Sequence, residues 1–332
     1  MIPLTGWAYC KSVIINGSAD GELTNYQVPV RVYRTTGTDG TEAMGTFTAG
    51  KVYVSTKCAT DYDDIRFTKA DGTTLLDYWI EESDSSDATI WVEVDTIPVS
   101  DGTVTIYIHY GKATASAVSN GANTFIFFDD FTGVDHTGWT DPNSIFTVTG
   151  GILSGESTRT STGNVLDQAV SAFTTERMVE GRGKHTSPTA ASHDMSIRVS
   201  DQRADYHFAI GPANSTDITY RSTGGWATTG VACVLDTYYI LGIVVDDASD
   251  TADYWIDYTQ KITGKAPATG GTHAANTIRL YLYYPGSKAS WDWVRVRNYT
   301  TNAPTWGDWG AEEVPSMVGC SIALKAQALG VI

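Results

Sequence analysis

The reading of the fold turns on three neighbouring pieces of sequence: Asp61-Tyr-Asp-Asp-Ile-Arg-Phe-Thr68, Leu75-Leu-Asp-Tyr-Trp-Ile-Glu-Glu82 and Ile90-Trp-Val-Glu-Val94. Aromatic, aliphatic and carboxylate side chains recur there at a two-residue period, which sets one side of a β-strand toward a core and the other toward water. Asp71-Gly72 separates the first two pieces as a turn. The same rhythm extends outward in both directions. Val28, Val30 and Val32 alternate with Pro29, Arg31 and Tyr33, and Val104, Ile106, Ile108 and Tyr110 alternate with Thr105, Tyr107 and His109. Turn signals at Asn16-Gly17, Asp20-Gly21, Asp39-Gly40 and Asp101-Gly102 punctuate the strands without any helical pattern between them. This predicts an antiparallel β-sandwich over residues 1–122.

Gly111 to Thr124 breaks the rhythm with small polar residues and marks a domain boundary. Strand patterns resume at Phe146–Thr149, Glu176–Arg182, Met195–Val199, Tyr206–Ile210, Tyr239–Asp246, Ala252–Tyr258, Ile278–Tyr284 and Trp291–Tyr299. Eight or more strands in this stretch suit a two-sheet jelly roll over residues 123–313. The remaining 314–332 segment contains the helix-like text, with Leu324, Ala328 and Leu329 apolar and Gly330 as a stop. It is expected to be a short tail that docks onto another subunit.

Composition agrees with an all-β chain: 332 residues, 10 Trp, 18 Tyr and 32 Gly, with only 18% charged residues. The formal net charge of −16 and the lack of any basic cluster exclude a nucleic-acid backbone as partner. The acidity either keeps copies soluble and mutually repulsive, or adapts the chain to salty surroundings or recruits Ca²⁺ to acidic loops. No apolar run reaches the ~18 residues of a membrane span, so no membrane insertion is expected. Met1-Ile-Pro-Leu-Thr-Gly-Trp7 has neither the basic nor the apolar region of a secretion signal. The remainder nevertheless reads as an exterior protein, with sequons at Asn16, Asn214 and Asn298. Either a signal has been removed or the chain reaches the exterior on a virion. Cys10, Cys58, Cys233 and Cys320 are widely spaced and form no Cys-x-x-Cys. Cys10 and Cys58 either pair within the first domain or stand as buried free thiols.

Candidate ligand chemistry concentrates in the last strands. With Val294 and Val296 inward, Trp291, Trp293, Arg295 and Arg297 point the other way. Tyr281 and Tyr283 likewise oppose Leu280 and Leu282, and Trp255 opposes Tyr254 and Ile256. Exposed rings stack on the apolar faces of sugars while arginines bond the hydroxyls. Trp255, Arg279, Tyr281, Tyr283, Trp291, Trp293 and Arg295 are therefore the candidate glycan platform. The competing reading is that these rings pack against other protein surface. Calcium is the candidate cofactor: with the first and last jelly-roll strands adjacent, Asp129 or Asp130 approaches Asp292 with hard oxygen ligands. A second candidate loop holds Asp246, Asp247 and Asp250. Adjacent Glu81 and Glu82 face opposite sides of a strand, and no Glu-x-Asp-x-Glu spacing places two carboxylates on one face. They are expected to make structural hydrogen bonds, with Arg66 as the candidate partner. His109, His136, His185, His193, His207 and His273 are scattered, with no zinc or serine-hydrolase motif around them. The chain therefore reads as non-enzymatic.

From Trp7 to Phe131 the sequence resembles the domain-of-unknown-function family numbered 2341, a family of bacterial, archaeal and viral surface proteins. The blocks that carry the likeness are Trp7-Ala-Tyr-Cys-Lys11, Tyr26-Gln-Val28, Asp61–Phe67, Tyr78–Glu82, Ile90-Trp-Val92, Ile106–Gly111 and Phe127-Phe-Asp-Asp-Phe131. The second domain resembles concanavalin or laminin-G jelly rolls, through Phe128-Asp-Asp-Phe131 and Trp291-Asp-Trp-Val-Arg-Val296. The resemblance implies glycan binding or adhesion outside the cell or on a virion, and it carries no established chemistry. The expectation is a non-catalytic virion surface protein (tail, spike or capsid decoration) that attaches to a host glycan or glycoprotein. It would meet other virion or surface subunits as a homo-oligomer. The alternatives are a secreted or cell-surface carbohydrate-binding adhesin, and a jelly-roll glycan hydrolase or lyase.

Overall fold

A computed structural model describes residues 4–133, 135–158, 163–171, 176–187, 195–200, 204–210, 217–246, 251–266, 268–269 and 277–314. The chain divides into two compact units: one of residues up to Glu42, Thr48–Asn120 and Asn302 onward, the other of Ala43–Phe47 and Gly121–Thr301.

The first unit contains β1 (Tyr9–Asn16), β2 (Leu23–Tyr33), β3 (Gly40–Met44), β4 (Phe47–Tyr53), β5 (Arg66–Lys69), β6 (Leu75–Leu76), β7 (Tyr78–Ser83), β8 (Asp87–Ile97) and β9 (Thr103–Tyr110). In the second unit follow α1 (Gly121–Thr124), β10 (Phe127–Asp129), β11 (Phe146–Thr149), β12 (Ile152–Glu156), β13 (Asn164–Ala169), β14 (Arg177–His185), β15 (Met195–Ser200), β16 (Ala204–Ile210) and β17 (Asp217–Ser222). β18 (Gly225–Ala232), β19 (Tyr239–Asp246), β20 (Thr251–Ile256), β21 (Thr259–Lys265), β22 (Ala268–Thr269), β23 (Thr277–Leu282) and β24 (Lys288–Asn298) complete it, and β25 (Thr305–Trp309) returns to the first unit.

The first unit is a sandwich of two five-stranded sheets, in the orders β25-β1-β9-β5-β6 and β3-β4-β2-β8-β7. Val28, Val30 and Val32 of β2 meet Ile90 and Val92 of β8 and Ile106 and Ile108 of β9 in one core, as the alternation predicts. Asn16-Gly17 and Asp101-Gly102 do not make hairpins but carry the chain from one sheet to the other, and β2 and β4 pair in parallel. Asp64 in the opening stretch is 2% exposed. Its carboxylate accepts the backbone N–H groups of Ala59 (2.9 Å), Gly111 (2.8 Å) and Lys112 (3.1 Å), fixing the end of β9 to the turn before β5. Arg66 donates to the carbonyls of Asp63, Ile65 and Ser116 rather than to a carboxylate. Glu81 instead accepts the Trp91 indole N–H at 2.6 Å. The stretch is structural.

The second unit is also a two-sheet, antiparallel sandwich. One sheet runs β11-β12-β24-β14-β19-β20-β21 with β10 beside β24; the other runs β13-β23-β15-β16-β17-β18 with β22 beside β16. Leu241 and Ile243 from the first sheet, and Ile197, Phe208, Leu280 and Leu282 from the second, belong to the shared core. This is the jelly-roll-like architecture expected, with β10 and β24 adjacent as first and last strands.

Three expectations are affected. Residues 302–313 were read as part of the second domain, but β25 pairs with β1, setting Val13 against Trp309 and Ile15 against Trp306. Both indoles pack on the first core and are stacked on each other, 6.2 Å apart. Cys10, Cys58 and Cys233 are free thiols, and burial pushes the first two up to about 11 and about 12. The tail from residue 315 and Cys320 lie outside the described residues.

His109 is fully buried on β9, where its Nδ1 accepts the Leu4 backbone N–H at 3.0 Å and its Nε2 faces the Thr68 hydroxyl at 2.9 Å. Burial lowers its pKa from 6.5 to about 4. An unfolded chain thus binds a proton between those values that the folded chain refuses, so stability present above pH 6.5 is lost as pH falls toward 4. Urea unfolding between these limits should show a His109 contribution of up to about 1.4 kcal/mol per pH unit, absent in His109→Gln.

Candidate functional site

The predicted platform does not exist as one surface. Trp255, Trp291, Trp293 and Arg295 lie in the β24-containing sheet, whereas Arg279 and Tyr281 lie on β23 in the other sheet, with Tyr283 just beyond it. Within β24 the simple alternation also fails. β14 places Arg182 opposite Trp293 but Gly183 opposite Trp291, so Asp292 is an extra residue at a bulge. Trp291 consequently turns into the core with Val294 and Val296. Room for its indole comes from glycine: a Cβ on Gly183 would lie 2.5 Å from the ring, and one on Gly181 3.0 Å.

Trp293, Arg295 and Arg297 do point to the opposite face, but that face is covered. Arg295 and Arg297 both donate to Glu180 (2.8 and 2.9 Å), and all three side chains are at most 1% exposed. The Arg295 guanidinium lies over the rings of Trp293 (4.5 Å) and Phe125 (4.9 Å). Trp255 stacks on Phe47 at 4.8 Å and Arg297 caps Phe47 at 4.6 Å; Phe47, the first residue of β4, is grouped with the second unit while the rest of that strand belongs to the first. Burial alone raises the Glu180 pKa, but the two guanidinium groups overcome it and hold the carboxyl below its usual range. These four predicted ligand residues are therefore packing residues.

The candidate calcium ligands make contacts within the protein. Asp129 accepts the Phe131 backbone N–H (2.8 Å) and the Trp139 indole N–H (2.7 Å). Asp130 accepts from Thr132, and Asp292 pairs with Arg182. Among the described residues no group of three or more His, Cys, Asp or Glu is arranged to hold a metal ion. Asp247 and Asp250 lie outside the described residues, as do His193 and His273.

The outer face of the β13–β18 sheet is different. Register aligns Asp167, Arg279, Arg198, His207, Arg221 and Trp226 in a single row across six strands. Each is on the opposite side from its core neighbours Leu166, Leu280, Ile197, Phe208, Tyr220 and Ala227. The adjoining row is Val165, Tyr281, Ser196, Ala209, Thr219 and Thr228. Its middle is made of small residues, and Ser196, Ala209 and Thr219 are buried, as is His207 in the arginine row. Thr219 Oγ1 is buried with no hydrogen-bond partner among the described residues.

Partners along the row grade from closed to open. Arg279 grips Asp167 with two parallel bonds of 2.7 and 2.8 Å. Arg198 lies flat on Tyr281 at 3.5 Å, and Tyr281 stacks on Tyr283 at 5.8 Å, so the predicted Tyr281 platform holds an arginine in place. At the far end Arg221 is exposed, and its guanidinium sits 6.0 Å from the Trp226 ring. Trp226 is 42% exposed and lies 6.1 Å from His207. Sequence reading missed β17 and β18, because Gly225-Trp-Ala-Thr-Thr-Gly-Val-Ala232 shows no aliphatic alternation. The available signal was the turn Ser222-Thr-Gly-Gly225, which sets Arg221 opposite Trp226.

Residues 61–142 match the model of a Domain of unknown function (DUF2341). The match begins at the stretch that dictates the first sandwich, as its resemblance implied. No curated protein matches the chain. Among solved structures it is similar to a carbohydrate esterase from Shiga toxin-encoding bacteriophage phi24B: 11% identity, 53% of this chain and 99% of that chain, TM-score 0.43. It is also similar to the CBM2 module of the evolved Dit of Lactobacillus casei BL23 phage J-1 (11% identity, 53% and 97% covered, TM-score 0.38). A third is a beta-1,3-glucanase from Mycobacterium marinum (16% identity, 52% and 98% covered, TM-score 0.36).

The covered face yields two stability predictions. Glu180→Gln leaves two guanidinium groups buried without their carboxylate and should cost about 3–5 kcal/mol in denaturant unfolding near pH 7. Because the Glu180 pKa is depressed, wild type should lose that advantage as pH falls below the ordinary carboxylate range. Trp291→Ala should cost a similar ~3–5 kcal/mol as a core cavity, with no separate effect on ligand binding.

Proposed function

We propose that this is a non-catalytic surface protein of a virion that binds a glycan on the outer face of the β13–β18 sheet. The observation that carries the reading is the exposed Trp226 ring beside the exposed Arg221. An exposed indole offers a flat apolar face for a sugar ring, and directed polar groups beside it fix the hydroxyls. Virion placement follows what the resemblance to the domain-of-unknown-function family 2341 implies, and the model of that family matches residues 61–142. Other virion subunits and further copies of this chain are the assembly partners in this reading.

The non-catalytic part rests on where the carboxylates are spent. Asp167 and Asp217, on the same face, are held by Arg279 and by the Thr228 hydroxyl, and Glu180 is sealed between two arginines. A glycan array with purified protein tests the reading, with Trp226→Ala as the decisive variant. Because Trp226 is exposed, this change should leave unfolding unaltered and weaken glycan binding about tenfold or more. Unchanged binding in Trp226→Ala would move the site elsewhere, and release of reducing sugar from any bound glycan would make the protein an enzyme.

A further inference from the structure

We propose that Lys11 and Asp39 condense to an isopeptide bond that ties the two sheets of the first sandwich together. Lys11 lies on β1, on the inward side with Val13 and Ile15, which belong to the core. Asp39 stands immediately before β3, in the opposite sheet. The Lys11 Nζ is 2.6 Å from Asp39 Oδ2, and the two side chains are only 11% and 17% exposed. Among the described residues this is the most buried pairing of a lysine with a carboxylate. In Lys57–Glu312, Lys69–Asp95, Lys184–Asp236 and Lys288–Glu156 the lysine is at least 23% exposed.

An ion pair needs only proximity, and the surroundings here supply more. Tyr53, at the end of β4, holds both partners. Its N–H donates to Asp39 Oδ1 at 2.7 Å, and its carbonyl accepts from Lys11 Nζ at 2.8 Å. The amine is thereby kept beside the carboxyl carbon, and a backbone donor sits where negative charge would develop on Oδ1. Holding two reactants in place in this way is equivalent to an effective concentration of about 10⁵ M or more. Tyr110 is fully buried and near enough for the Asp39 charge to bear on its hydroxyl, so the pair borders the core.

The condensation balances within the pair. A proton passes from the Lys11 ammonium to Asp39 Oδ2, leaving a neutral amine and a carboxylic acid. The Nζ lone pair then attacks Asp39 Cγ and the Nζ–Cγ bond forms. A further Nζ proton goes to Oδ2 as the Cγ–Oδ2 bond breaks, and water leaves. Nothing is oxidised or reduced, and the products are one amide and one water. Such a bond gives a covalent tie between sheets to a chain in which Cys10, Cys58 and Cys233 are all free thiols.

Mass spectrometry of the intact, denatured protein is the test. Wild type should be lighter than its sequence mass by one water, about 18 Da, and a tryptic digest should yield one branched peptide carrying both residues. Lys11→Arg keeps the cation but lacks the amine nucleophile, and Asp39→Ala lacks the carboxyl. Both should show full sequence mass and no branched peptide, and Lys11→Arg should unfold several degrees below wild type. Full sequence mass in wild type overturns the proposal and leaves an ordinary ion pair. A deficit that persists in Lys11→Arg, or that disappears in mild alkali, marks a succinimide at an Asp-Gly bond such as Asp39-Gly40 and overturns it equally. The wild-type mass and digest decide the matter even where a variant fails to fold.

Discussion

Two arginines on one buried carboxylate govern what the second unit can present. Glu180 on β14 and Arg295 and Arg297 on β24 face the same side of one sheet, and each is at most 1% exposed. Burying an ion costs several kcal/mol, and that cost is offset only when close partners and stacked rings replace water. Here the partners are the bonds to Glu180 and the rings of Trp293, Phe125 and Phe47. Opening this face to admit a ligand would expose the apolar rings and break the charge cluster together. A sandwich has two outer faces, and this one is spent on stability.

On that other face, antiparallel register does the positioning. Arg279, Arg198, His207 and Arg221 come from four different strands, yet backbone pairing sets them side by side. The core beneath is tightly buried, with Ile197, Phe208 and Leu280 all at 0% exposure, so the strands carrying the row are held rigidly. A row fixed in this way has little conformational freedom left to lose. Exposed Trp226 sits on the last strand of the sheet, at a two-residue turn after Arg221. Its ring has only two side-chain torsions to restrict, which favours it as a contact residue for a flat ligand surface.

The same physics explains which features were legible in the sequence. Strand alternation identified the first core closely, since Val28, Val30, Val32, Ile90, Val92 and Ile106 all belong to it. It also found the strands of the second unit that carry aliphatic runs. Alternation cannot see a bulge, however, and a single extra residue at Asp292 sent Trp291 into the core that Trp293 avoids. The clue lay one strand away: Gly181 and Gly183 leave the space that the Trp291 indole fills. Nor can alternation say which strands share a sheet. Tyr281 and Trp293 looked like one surface because they are close in sequence, but β23 and β24 belong to opposite layers. Trp226 and Arg221 were illegible because Thr, Gly and Ala dominate their hairpin, and such strands are defined by pairing rather than by composition.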